Sequence, residues 1–259
     1  MTQRPAGACG RSGMKPLGAP AYGSIPHLPG SRLGPKDRTI HQGQAQICTE
    51  RVKHRGQFII VQEKLDGSCC AVACLDDGEI VALGRSGYTA SSSRFEQHQL
   101  FATWVREREP EFRSVLRPGE RLVGEWLAQA HGTRYQLGDV EPFAPFDLMV
   151  GARRKCYIVF NCAMAKLSRF IPKIRAPRTV MFGVPVPVDE AYAALLRGCR
   201  DDDPWGHVDP PEGLVYRVER GHEVEFLAKW VRPDKVDGCF LPEISGGEAV
   251  WNWRPTACV

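Results

Sequence analysis

With 259 residues, 43% of them hydrophobic, the chain is long enough to bury one large core or two modest ones, and its 25% charged residues are the usual share of a soluble globular protein. A net charge of +4 excludes a strongly basic nucleic-acid binder on total charge alone, while the lack of a membrane-length apolar stretch or a signal-peptide core in residues 1–30 leads to the expectation of a cytoplasmic protein with no membrane association. The ten cysteines include no Cys-x-x-Cys pair and several lie inside apolar runs, which reads as buried thiols; the seven histidines show no ligand spacing with them, which argues against zinc.

Residues 1–22 are rich in Gly, Pro, Ala and basic side chains without periodicity and read as a flexible arm, leaving 23–259 as one domain. Tyr22 to Arg32 reads as an ordered loop with turn prolines. Phe58 to Val61 and Cys69 to Leu75 are apolar runs around the polar break Gln62-Glu63-Lys64-Leu65-Asp66-Gly67. With Asp76-Asp77-Gly78 behind, they predict two strands and a hairpin. Alternation along a strand puts the Lys64 amine and the Asp66 carboxylate on one side, and Gly67 permits a turn or a close approach. Glu79 to Leu83 is a third strand, followed by Gly84-Arg85-Ser86-Gly87-Tyr88. Ser91-Ser92-Ser93 offers an N-cap for a helix that runs to Glu109, stops at Pro110 and buries Phe101, Trp104 and Val105.

Arg121 to Leu127 is strand-like, with Glu125 in an apolar setting. A buried, unpaired carboxylate costs several kcal/mol, so Glu125 needs a metal, a hydroxyl or a cation. Pro142 to Met149 carries two aromatics, Phe143 and Phe146. The tract that follows holds Arg153, Arg154, Lys155, Lys166, Arg169, Lys173, Arg175 and Arg178, and no acid occurs between Asp147 and Asp189. Unrelieved positive charge interleaved with Tyr157, Phe160 and Phe170 suits a phosphate backbone track. Asp189 to Cys199 reads as a helix ended by Asp201-Asp202-Asp203-Pro204, a solvated loop, because adjacent aspartates cannot all converge on one ion. Pro211 to Val218 opens a strand with Glu212, and a turn at Gly221 returns the chain through Val224 to Val231 with Lys229.

Lys64-Leu65-Asp66-Gly67 resembles motif I of the covalent nucleotidyltransferases, the superfamily of ATP-dependent DNA ligases, RNA ligases and capping enzymes, whose lysine carries a nucleotide as a phosphoramidate. Arg85 resembles the motif Ia arginine, Glu125 motif III, the Phe146 segment motif IIIa with its purine-stacking aromatic, Glu212-Gly213 motif IV and Lys229 motif V. The segments most closely resemble the nick-sealing RNA ligases. That resemblance implies an α+β nucleotidyltransferase core of antiparallel sheets flanked by helices. The stretch after Lys229 is too short for the OB-fold domain that DNA ligases and capping enzymes carry.

It further implies an ATP-dependent RNA ligase acting in RNA repair, with AMP carried on Lys64 and transferred to an RNA 5′-phosphate before joining to a 3′-hydroxyl. The alternatives are a DNA ligase-like or GTP-dependent capping-type enzyme and a nucleic-acid-binding protein without catalysis. Lys64, Asp66, Glu125, Glu212 and Lys229 are the expected catalytic set; Asp66, Glu125 and Glu212 are the expected oxygen ligands for Mg2+ or Mn2+. Glu63, Arg85, Phe146 and Arg232 join them around ATP, and Arg232 or Lys235 stands in for a second motif V lysine, whose place holds Val231. Arg153, Arg154, Lys155, Lys166, Arg169 and Lys173 are the expected RNA contacts, and a clamping or end-healing partner protein is expected to align the strands.

Overall fold

The computed structural model describes residues 15–255. After α1 (Gln42–Thr49), β1 (Gln57–Lys64) leads into β2 (Ser68–Cys74) and β3 (Ile80–Gly84); a short 3-10 turn at Ala90–Ser92 precedes α2 (Glu96–Glu107) and α3 (Glu109–Val115). Next come β4 (Glu120–Trp126), β5 (Phe143–Val150), the two-residue β6 (Arg153–Arg154) and α4 (Tyr157–Phe170). Then β7 (Thr179–Phe182), α5 (Val188–Asp201), β8 (Gly213–Arg220), β9 (Glu223–Val231) and α6 (Pro242–Ser245) complete the order.

The strands form two antiparallel sheets, ordered β7-β1-β8-β9 and β3-β2-β4-β5-β6, so the architecture is α+β as expected. Each sheet has helices on its outer face. Ile59, Val61, Leu214, Tyr216 and Val218 pack against Ala45, Ile47, Ala191 and Leu195 of α1 and α5. Cys70, Val72, Leu122 and Leu148 pack against Phe101, Trp104, Phe112, Phe160 and Leu167 of α2 to α4. Residues of alternating parity face inward, because successive strand side chains point to opposite faces. The inward faces bound a cleft.

The hairpin at Asp76-Asp77-Gly78 joins β2 to β3 as expected. The strands on either side of Lys64 separate: β1 joins the first sheet and β2 the second, and Leu65-Asp66-Gly67 carries the chain between them. Gly67 is required there, since a Cβ would come within 2.4 Å of the Trp126 carbonyl oxygen. The helix begins at Glu96 rather than at the serine cluster, and Pro110 falls in the first turn of α3, where its missing N–H costs nothing. Phe101, Trp104 and Val105 are buried as expected.

Residues 1–14 of the expected arm lie outside the described residues. Residues 15–22 are not loose: Ala21 and Tyr22 are buried against Ala71, Val123 and Met149 of the second sheet. Tyr22 donates to Asp147 at 2.6 Å, and that fully buried carboxylate also takes Arg154 Nε at 3.0 Å and an Arg217 guanidinium nitrogen at 2.6 Å. This network closes one end of the cleft.

Candidate active site

The cleft between the sheets has a volume of about 1030 Å³, the size of a nucleotide site. Its walls include Lys64, Asp66, Glu125 and Lys229 together with Arg85 and Phe146. Lys64 ends β1 and its Nζ donates to Glu212 Oε2 at 2.5 Å. Glu125 on β4 accepts the Gly67 N–H at 3.0 Å. Lys229 lies on β9 opposite Val215 of β8, with Asp37 of the N-terminal loop 3.8 Å away. A smaller adjoining recess of about 300 Å³ is shared by Lys64, Asp66, Glu212, Lys229, His27 and Arg32.

Charge is concentrated here in a low-dielectric setting. Burial works against the Lys64 ammonium, but Glu212, Glu125 and Asp66 outweigh it and hold the amine above its ordinary range. Burial pushes the Glu125 carboxyl up to about 7 despite the attraction of Lys64, and it raises Glu212 as well. Lys229 is lowered by burial and by the repulsion of Lys64. The donor type fits a hard divalent ion, since Glu125 and Glu212 offer only oxygen; Glu212 touches the Lys64 ammonium and Glu125 acts on it through its charge.

Asp66 is committed elsewhere on one side: its Oδ2 accepts the Gly132 N–H at 2.8 Å and the fully buried Lys235 Nζ at 2.6 Å. Lys235 therefore does not supply a free cation to the cleft. Nor does Arg232 line it, for its guanidinium pairs with Asp234 at 2.5 Å. Val231 lines the smaller recess, where the cationic side chains are Arg32, Lys64 and Lys229.

Of the two aromatics, Phe146 faces the cleft, edge-on to Tyr22 with ring centroids 5.2 Å apart, whereas Phe143 is core beside Phe101 and Trp104. Glu63 follows the strand parity: it alternates with Lys64, and its buried carboxylate lies 2.8 Å from His207 Nε2. Its side chain belongs to a cluster behind β1, and only its backbone position is close to the cleft.

The basic tract divides. Arg153, Lys166 and Arg169 are exposed, as is Lys173 in its pair with Asp139 at 2.7 Å. Arg154 is structural, caught between Asp147 and the face of the Tyr22 ring, and the Lys155 carbonyl accepts from Arg217. Residues missed by sequence reasoning include Tyr22, Asp147 and Arg217. The one signal available was a lone acid, Asp147, set in the apolar run Phe146 to Met149.

Two antiparallel sheets clasp a cleft around Lys64, with Glu125, Glu212 and Lys229 about it, the α+β architecture of a nucleotidyltransferase core. A family model described as RNA ligase matches residues 57–231, more than half of the chain, and the chain belongs to that family. It is similar to an archaeal ATP-dependent RNA ligase (18% identity, 81% of this chain and 48% of that one, TM-score 0.49). It is also similar to a Naegleria gruberi RNA ligase mutant solved with AMP and Mn (16% identity, 80% and 59%, TM-score 0.49). The chain thus spans about half to three fifths of these solved structures. No curated protein sequence gives a significant match.

Proposed function

We propose that the protein is an ATP-dependent RNA ligase that charges Lys64 with AMP, passes the AMP to an RNA 5′-phosphate and joins that end to a 3′-hydroxyl in RNA repair. The observation that carries this reading is Lys64 Nζ, 2.5 Å from Glu212 Oε2 at the head of a cleft that Glu125 and Lys229 also line. An ammonium is not a nucleophile, so the proton must leave first. Glu212 Oε2 is the acceptor in contact, but Glu212, Glu125 and Asp66 also hold the amine above its ordinary range, so positive charge from Lys229 and a bound divalent ion would be needed to free the proton. Nζ then bonds to the α-phosphorus while the bond to the pyrophosphate oxygen breaks, with Lys229 beside the developing charge. Arg85 and Phe146 hold the ribose and base, and the recess at His27 and Arg32 is the exit for pyrophosphate.

Glu125 and Glu212, joined by Asp66, would hold Mg2+ or Mn2+, which would supply positive charge at the α-phosphate. The test is incubation with ATP or GTP labelled at the α-phosphate, followed by denaturing electrophoresis and a chase with nicked RNA. ATP-dependent label on the protein that moves to RNA supports the reading. Label from GTP alone turns it to a capping-type enzyme, and no label from either leaves a nucleic-acid-binding protein.

Protonation sets a pH dependence. Because the Glu125 carboxyl is raised to about 7, it carries its proton below that pH and ionises above it. Mn2+ affinity is therefore expected to fall about tenfold per pH unit below 7 and to level off above it. Titration calorimetry or Mn2+ electron paramagnetic resonance at pH 5.5 to 8.5 reads this; a flat wild-type profile, or a slope that persists in Glu125→Gln, removes Glu125 from the ligand set.

The exposed members of the basic tract serve as the RNA track. Neutralising Arg153, Lys166 and Arg169 is expected to reduce the slope of log binding constant against log salt by roughly 0.7 to 0.9 for each RNA phosphate that no longer meets a cation. An unaltered slope would make these residues a solvated face. Arg154 is left out of the test, because its loss would unpair Asp147.

A further inference from the structure

Behind β1, on the face opposite Lys64, lies a buried cluster that the nucleotidyl-transfer reading does not use. Glu63 contributes a carboxylate that is fully buried, and neither of its oxygens makes an aligned hydrogen bond. His207 Nε2 is 2.8 Å from Glu63 Oε1. Its Nδ1 is held by both oxygens of Asp203, at 3.0 and 3.1 Å, and Asp203 also accepts the Trp205 and His207 backbone N–H groups. Cys199, near the end of α5, brings its Sγ to 4.0 Å from Nδ1 of the same imidazole. One donor atom each from Glu63, Cys199 and His207 lies within 4.8 Å of the other two.

Charge does not balance in this cluster. Two carboxylates face one imidazole, and among the described residues His207 is the only cationic partner within salt-bridge distance of either. Even a protonated histidine leaves one net negative charge in a buried setting, and an unpaired buried charge costs several kcal/mol. A divalent cation would remove that deficit.

We propose that Glu63, Cys199 and His207 form a binding site for a zinc-class divalent ion. Carboxylate, thiolate and imidazole are the ordinary zinc donors, and the thiolate selects against Mg2+ and Mn2+. Asp203 occupies Nδ1 and so leaves Nε2 for the ion, the usual arrangement by which a carboxylate fixes the tautomer of a ligating histidine. Ligands of a tetrahedral zinc lie roughly 3.3 to 3.7 Å from one another, so the three atoms need shifts of about 1 Å or less. Water completes the four. Binding releases the thiol proton and the Nε2 proton, and no redox step is involved. The ion would tie the strand end that carries Lys64 to α5 and to the loop at Asp203–His207, so this is a structural brace, separate from the Glu125 and Glu212 ligands.

The spacing Cys199, Asp203, His207 places each residue four positions from the next, but the chain leaves the helix at Asp202, and Glu63 joins from far away in sequence. The test uses the full chain, purified without chelator and passed through metal-free buffer, with metal content measured by mass spectrometry and Co2+ binding followed by absorption. About one zinc per chain and a near-ultraviolet thiolate-to-cobalt charge-transfer band are expected, both lost in Cys199→Ser. Circular dichroism of that variant should match the metal-stripped wild type, since serine keeps the shape of the site. Wild-type protein that retains no zinc and gives no cobalt band overturns the proposal, as does Cys199→Ser that retains both. Neither readout involves nucleotide or RNA, so ligase activity and the metal site fail or stand separately.

Discussion

Lys64→Ala and Lys64→Arg should both abolish the labelled AMP adduct while leaving the chain folded. The two variants separate chemistry from charge. Alanine removes the nucleophile and the cation that balances Glu212 and Glu125, whereas arginine keeps a positive charge at the head of the cleft. A guanidinium does not lose its proton at accessible pH and so cannot attack phosphorus. If proximity of charge were all that mattered, Lys64→Arg would retain part of the labelling. Adduct that persists in either variant, mapped by mass spectrometry to another lysine such as Lys229, would show that Lys64 is not the nucleophile.

The largest stability effect is expected at Asp147. This carboxylate is wholly buried and accepts from Tyr22, Arg154 and Arg217 at once, with Arg217 also paired to Glu219. Asp147→Asn keeps the volume but leaves two guanidinium groups short of a counter-charge. Removing one partner of a buried ion pair costs about 3–5 kcal/mol. For a chain of this size that lowers the thermal midpoint by roughly 10 °C. Adding Arg154→Met to Asp147→Asn should recover part of the loss, since Asp147 is the carboxylate that Arg154 pairs with and the unpaired charge goes with it, and thermal unfolding of the single and double variants measures this. A double variant no more stable than Asp147→Asn would mean that packing, and not charge, makes Asp147 costly to lose. Because Tyr22 and Phe146 flank this hub, nucleotide affinity should fall in parallel with stability.

Which face each strand presents was open to reading from parity alone. Lys64 and Glu63 are neighbours, so one had to face the cleft and the other the helices; grouping both around the nucleotide ignored that alternation. Parity does not settle the two phenylalanines of β5, because the register shifts at Phe146 and puts Phe143 and Leu148, an odd interval apart, on the same face. Burial of Phe143 against Phe101 and Trp104 decides it.

The chain by itself determined the strands β1 to β4, β8 and β9, the buried face of α2, the lysine and carboxylates in order, and the family they belong to. Those properties depend on period-two and helical patterning and on short motifs, where each residue is read against its near neighbours. Only the tertiary structure decided that β1 and β2 enter different sheets, that Lys235 is bound to Asp66 across 169 positions, and that Arg154 serves Asp147 rather than solvent. The pairing of Glu63 with His207 belongs to the same group. A lysine or arginine has the same local signature whether it meets a phosphate, water or a buried carboxylate. Its partner is chosen by desolvation, which exists only after distant segments have packed and removed the water.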